Sequence, residues 1–157
     1  MKILFMCTAN SCRSVLSEAL FNDSAPQGLR AVSAGSFPSG RLNERALSTL
    51  SALNVSTQGL YSKGSDAFTE TPPDIVITVC DQAAGEPCPV YFGPALKSHW
   101  GLMDPSDVSG SESETQAAFD ATVAHIKRRL DAFLEKDLRA LSNTELKTLL
   151  DQIGALP

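Results

Sequence analysis

Met1-Lys2-Ile3-Leu4-Phe5-Met6-Cys7-Thr8-Ala9-Asn10-Ser11-Cys12-Arg13-Ser14 is the stretch whose reading decides the fold. Ile3 to Met6 is a continuous apolar run, the pattern of a parallel strand covered on both faces. Val15, Leu16, Ala19 and Leu20 then recur at helical spacing. A strand running through a short loop into a helix aims several backbone N–H groups at one point, and the positive end of the helix dipole adds to them. That is an anion cradle with Cys7 at its base, where the donors and the permanently charged Arg13 favour thiolate over thiol. A chance pairing of Cys and Arg is the plain alternative; the strand before, the helix after and the hydroxyls of Thr8, Ser11 and Ser14 speak against it. The Gly-rich phosphate loop of nucleotide enzymes is excluded, because the stretch holds no glycine and no Gly-Lys-Ser/Thr. Thr8, Ala9, Asn10, Ser11, Cys12, Arg13 and Ser14 are therefore the candidate oxyanion-binding residues.

Outward from this point, strands alternate with helices. Arg30 to Ser36 reads as a short strand ending in small residues, which suits a crowded ligand mouth. Asn43 caps a helix through about Leu53 with the stripe Ala46, Leu47, Leu50 and Leu53, and Asn54 is a plausible stop. The segment 56–71 is polar and mixed, anchored by Leu60, Tyr61 and Phe68, and suggests no chemistry. After Pro72-Pro73, the β-branched run Asp74 to Cys80 reads as a central parallel strand. The loop 81–89, interrupted by Gly85, Pro87 and Pro89, reads as a segment able to move. Ala95 to Trp100, with Lys97, fits a short strand at a sheet edge. Glu112 to Glu135 carries the helical stripe Phe119, Val123, Ile126, Leu130 and Phe133, with His125 off it and so expected in solvent. Leu138 to Ile153 predicts a last amphipathic helix, with Ser142 and Glu145 spaced as a capping box, packing on the domain as its plain role and a dimer contact or partner-binding helix as the alternative. The alternation predicts an α/β fold: one four-stranded parallel sheet, order 2-1-3-4, helices on both faces and an extra C-terminal helix. Ligands of such sheets bind outside the carboxyl ends of the strands. Cys7 and Cys80 end two neighbouring strands, about 4.8 Å apart, and a disulfide needs Cα atoms about 4.4–6.8 Å apart.

With 157 residues and 43% hydrophobic content, the chain is the size of a single domain able to bury its own core. A net charge of −5 without a basic stripe argues against nucleic acid or an acidic membrane surface as partner. No apolar run approaches the roughly 18 residues of a membrane span. The apolar run after Lys2 is too short for a signal-peptide core of about 7–15 residues, which predicts a cytoplasmic protein. Four cysteines, Cys7, Cys12, Cys80 and Cys88, do not make a structural disulfide framework in that compartment. Zinc held by Cys80, Cys88 and His99 fails on spacing and lacks a fourth ligand, so no metal is expected.

Cys7-Thr8-Ala9-Asn10-Ser11-Cys12-Arg13-Ser14 resembles the phosphate loop of the low-molecular-weight tyrosine phosphatase family, and looks most like its arsenate reductase branch. The resemblance covers most of the chain, with residues 1–136 as the family domain and 137–157 as a helical extension past its usual end. It implies reduction of arsenate to arsenite, with phosphate or sulfate as mimics of the substrate and no cofactor. Cys7 is the expected nucleophile, Arg13 the bidentate clamp and Ser14 a hydrogen-bond donor to the sulfur; Asn10 suits a left-handed turn. Asp104-Pro105 reads on its residues alone either as a turn or as a general acid; the resemblance implies the acid. It also implies a relay in which Cys80 attacks the Cys7 adduct and Cys88 resolves the disulfide, with thioredoxin or another thiol reductant, such as glutathione with glutaredoxin, as electron donor. Some relatives bind potassium near the loop, and Asn10 and Glu18 are the candidates here, with further ligands unassigned. The alternative is a phosphatase hydrolysing phosphate monoesters, disfavoured for phosphotyrosine because Ser106 stands where an aromatic ring would grip the substrate. A non-enzymatic anion-sensing module is the third reading, disfavoured by the intact set Cys7, Arg13 and Asp104.

Overall fold

The computed structural model describes residues 1–81, 85, 91 and 93–157. Four parallel strands, β1 (Lys2–Cys7), β2 (Arg30–Gly35), β3 (Ile75–Thr78) and β4 (Leu96–His99), lie in the order β2-β1-β3-β4, as expected. The helices are α1 (Arg13–Ser24), α2 (Glu44–Ala52), α3 (Glu112–Leu134) and α4 (Asn143–Gly154). Their bounds follow local chemistry. Asn43 caps α2 by accepting from the Ala46 N–H at 2.9 Å, and Asn54, with φ of 59°, turns the chain after it. Ser111 with Glu114 and Ser142 with Glu145 form complete capping boxes at the starts of α3 and α4. The last helix accordingly starts at Asn143 and not at Leu138, whose segment Leu138–Ala140 is a separate 3-10 turn.

Side-chain alternation along β1 divides the interior. Ile3, Phe5 and Cys7 face one core, into which all four α-helices send buried side chains, among them Leu16, Leu50, Ile126 and Leu150. Phe5, Phe21, Trp100 and Phe133 meet there with ring centroids 6.0–6.3 Å apart, tying β1, α1, the end of β4 and α3 together. Each such pair contributes about 0.5–1.5 kcal/mol beyond area burial. Leu4, Met6, Ala34 and Val76 form the smaller second core, against which Phe68 of the 3-10 turn Ser65–Phe68 packs. Among the described residues, all four α-helices thus contribute to the first core and a 3-10 turn to the second.

β4 is one edge of the sheet, and α4 lies along it. Lys147 Nζ donates to the Lys97 carbonyl, Ser98 Oγ donates to Asp151 Oδ1 at 2.7 Å, and Trp100 Nε1 donates to the Leu150 carbonyl at 2.9 Å. Covering an edge removes unpaired backbone groups that would otherwise template strand pairing.

Candidate active site

The junction of β1 and α1 is built as a cradle, and the reason lies in where its carbonyls go. Ser36, Phe37, Ser39 and Asn43 donate backbone N–H groups to the carbonyls of Cys7, Thr8, Ala9 and Ser11 at 2.8–3.1 Å. In a trans peptide the carbonyl and the next N–H point in opposite directions. Engaging these carbonyls from outside therefore turns the amides of Thr8, Ala9, Asn10 and Cys12 inward. The Asn10 amide shows it, donating to Cys7 Sγ at 3.3 Å. Arg13 is the first residue of α1, so the helix N-terminus points into the same space.

Gly35, at the end of β2, permits the close approach. A Cβ there would lie 2.4 Å from the Thr8 carbonyl oxygen and 2.9 Å from the Asn10 nitrogen, both backbone atoms that cannot swing aside. Gly35→Ala is expected to displace the loop, lowering stability by about 1–3 kcal/mol, the usual cost of overpacking. Affinity for inorganic phosphate is expected to fall about tenfold or more if two amide donors lose alignment, at about 0.5–1.5 kcal/mol each. Thermal unfolding and competitive inhibition by phosphate check the pair of effects; unchanged phosphate affinity means that the loop tolerates the side chain.

Cys7 is a free, buried thiol at the carboxyl end of β1, with Ser14 Oγ 2.9 Å from its sulfur. Asn10, with φ of 47°, takes the left-handed conformation expected of it and is fully buried. Its side-chain amide donates to both Ser14 Oγ and Ser33 Oγ at 2.9 Å, and its Oδ1 accepts from the Lys63 N–H at 2.9 Å. Ser14 is thereby oriented for Cys7. Cys12 is the second free thiol, and burial, with a further push from Asp104, raises it to about 12, so it stays protonated at neutral pH.

Arg13 is buried, with Nη1 donating to the Leu102 carbonyl at 3.2 Å and Nη2 3.5 Å from Asp104 Oδ2. The Leu102 N–H in turn donates to the Val79 carbonyl at 3.3 Å, pinning the segment before Asp104 beside the loop. Asp104 starts the 3-10 turn Pro105–Asp107, its Oδ1 accepting from Ser106 N at 3.0 Å and Ser106 Oγ at 2.6 Å. The turn and the position beside the cradle coexist, because one carboxylate oxygen serves each.

Cys80 lies past the end of β3, which stops at Thr78, two residues short of the strand expected from its apolar run. β1 and β3 are neighbours as expected, but Met6 pairs with Thr78 and the Val79 N–H bonds the Met6 carbonyl. Cys80 thus lies one residue beyond the level of Cys7. It is fully buried and disulfide-bonded. Cys88 lies outside the described residues.

One residue of the site was illegible in the sequence. Lys63, from the segment that suggested no chemistry, is buried with its ammonium 3.7 Å from Glu18 Oε1. The same carboxylate oxygen accepts from Ser33 Oγ at 2.7 Å, and the Lys63 ammonium also donates to the Tyr61 carbonyl at 3.0 Å. Burial lowers the ammonium's affinity for its proton, partly offset by Glu18. The cation set against Glu18 is therefore this side chain. A lone lysine in a polar stretch carries no signal of this, since the contacts that bring the segment beneath the loop are tertiary: the isolated bridge between Gly35 and Gly64, the Ser62 hydroxyl on the Ala9 carbonyl and the Lys63 N–H on Asn10 Oδ1. His125 corrects a second expectation: it is half-buried, and its Nε2 is 3.0 Å from the Leu156 carbonyl oxygen. Among the described residues no cluster of side chains suited to a metal ion occurs, and no helix is long and apolar enough to cross a membrane.

Residues 2–145 match the model of the low molecular weight phosphotyrosine protein phosphatase family. An arsenate reductase of Bacillus subtilis is 32% identical over 133 residues, covering 85% of this chain and 94% of the relative. The crystal structure of an arsenate reductase from Archaeoglobus fulgidus superposes with a TM-score of 0.72 at 24% identity, covering 85% of this chain and 99% of that one, a likeness of fold. A thioredoxin-dependent arsenate reductase of Corynebacterium glutamicum gives a TM-score of 0.56 at 25% identity, over 83% of this chain and 61% of that one. A match of this extent, on a fold whose strand ends carry an inward-facing amide loop around a buried thiol, means that the chain belongs to the low molecular weight phosphotyrosine protein phosphatase family.

Proposed function

We propose that the protein reduces arsenate to arsenite in the cytoplasm, the compartment that keeps such thiols reduced. The observation that carries the reading is the free Cys7 sulfur held by Ser14 Oγ and the Asn10 amide, with Arg13 beside it. Its chemistry follows from what these groups do to a tetrahedral oxyanion. The inward amides and Arg13 hold the oxygens, and the Cys7 thiolate attacks arsenic. Asp104 donates the proton with which one oxygen leaves as water. Cys80 then attacks the Cys7 sulfur: the S–As bond breaks, its electron pair goes to arsenic, and arsenite leaves with a Cys7–Cys80 disulfide behind it. Cys88 attacks Cys80, freeing Cys7 and passing the bridge to Cys80–Cys88 for reduction by an external dithiol such as thioredoxin. In this reading residues 1–136 carry the chemistry and 137–157 are an extension. The similarity to the Bacillus and Corynebacterium arsenate reductases supports it.

The experiment is arsenate-dependent consumption of reductant, run in parallel with thioredoxin and with glutathione plus glutaredoxin. Arsenite formation equal to reductant consumed, and faster with thioredoxin, is the expected result. Turnover with glutathione and glutaredoxin alone overturns the relay while leaving the reductase. Hydrolysis of aryl phosphates with no arsenite formed returns the protein to the phosphatase reading, which the family match by itself favours equally.

A further inference from the structure

Arg129, on α3, is 4% exposed and forms no salt bridge among the described residues. Its hydrogen bonds go only to main-chain carbonyls: Nη1 to Gly101 at 3.1 Å, and Nη2 to Gly154 at 3.2 Å and Leu156 at 3.3 Å. Its Nε is buried without a partner. Burial and then the neighbouring Arg128 bring the guanidinium down to about 10, leaving it charged at neutral pH. A buried charge without a counter-ion costs several kcal/mol, and an apolar side chain would fill the space without that cost. What the guanidinium does that an apolar group cannot is join two distant strands of main chain.

One of these is the approach to Asp104. Gly101 O is held by Arg129 and Leu102 O by Arg13, so the two arginines grip consecutive carbonyls of the segment that ends at the acid. The other is the C-terminal end of α4. Gly154 lies so close to β4 that a Cβ there would be 2.4 Å from the His99 carbonyl oxygen and 2.8 Å from the Trp100 ring. His125 and Arg128, also on α3, hold the carbonyls of Leu156 and Pro157. The tail is thus gripped at several carbonyls, and Arg129 is the side chain that carries this grip to residue 101.

Resting on the reading of Asp104 above, we infer that Arg129 is a positioning residue: it couples the C-terminal helix to the Gly101–Asp104 segment and so sets the acid against the cradle. The extension past the catalytic unit then serves turnover as well as packing.

Arg129→Met keeps volume and removes the donors. Its kcat for arsenate reduction, per active site titrated, is expected to fall about tenfold, less than the roughly 10²-fold a 1 Å misplacement can cost, with KM for arsenate unchanged because no cradle atom is touched. In an Asp104→Asn background the same substitution is expected to add no further loss. Gly154→Ala, which pushes α4 from the edge without altering Arg129, is expected to lose kcat in the same direction and covers the case in which Arg129→Met does not fold. Trp100, the single tryptophan, reports displacement of α4 by its emission. Unchanged kcat per active site with only a lower Tm, or an equal loss with and without Asp104, overturns the inference. If Asp104→Asn alone costs nothing, the reading of Asp104 fails, and the inference fails with it.

Discussion

Cys7→Ser abolishes arsenate reduction and aryl phosphate hydrolysis together, a loss on the order of 10³-fold or more given that a neutral hydroxyl here has no base to activate it. The groups around the sulfur, Ser14 Oγ and the Asn10 amide, offer it hydrogen bonds; neither is a base that takes a proton from a serine. Cys12 cannot replace the lost thiol. It is held protonated by burial and by Asp104, and ionises only near pH 12. Phosphate binding, by contrast, survives the substitution, because the inward amides and Arg13 are untouched. Phosphate affinity by calorimetry and turnover on both substrates test the expectation, and full arsenate turnover in Cys7→Ser removes this residue from the mechanism.

Cys80→Ser separates the two chemistries. Arsenate reduction falls to background, also on the order of 10³-fold, since no internal thiol then attacks the adduct sulfur. Hydrolysis of a small aryl phosphate, which uses Cys7, Arg13 and Asp104, stays within about twofold, as expected for a residue absent from that transition state. The position of Cys80 makes the comparison clean: it lies beyond the end of β3, and its substitution removes no hydrogen bond of the Met6–Val79 ladder. Cys88→Ser differs again, releasing one arsenite per enzyme before stalling as a Cys7–Cys80 disulfide, which peptide mass after thiol blocking identifies. Equal loss of both activities in Cys80→Ser marks that residue as structural. Steady turnover of Cys88→Ser with thioredoxin removes the resolving step.

The cradle was legible because its parts are contiguous. Strand, loop and helix follow one another within Met1 to Ser24, and each is set by local chemistry: apolar runs, a left-handed Asn10, an arginine at the first helical position. Asp104 was half legible. Asp-Pro announces a turn, and the turn is there; that Oδ2 also faces Arg13 depends on the Leu102 carbonyl being held by the same guanidinium, a contact across most of the chain. Lys63 was not legible at all, since burying a lysine requires a carboxylate that only folding brings to it.

By itself the sequence determined the order of elements, the parallel sheet that such alternation requires, and the residue types of an oxyanion loop. These depend on periodicity and on neighbours in the chain, where each element's preference is local. Tertiary structure alone decided which way the loop amides face, because the residues between 36 and 43 that take up its carbonyls follow β2 and reach the loop only once β2 pairs with β1. It likewise decided where Arg129 spends its charge, where α4 meets the sheet edge, and which cation faces Glu18. Those outcomes turn on distances between residues remote in sequence, set by close packing, and packing has no period for a sequence to display.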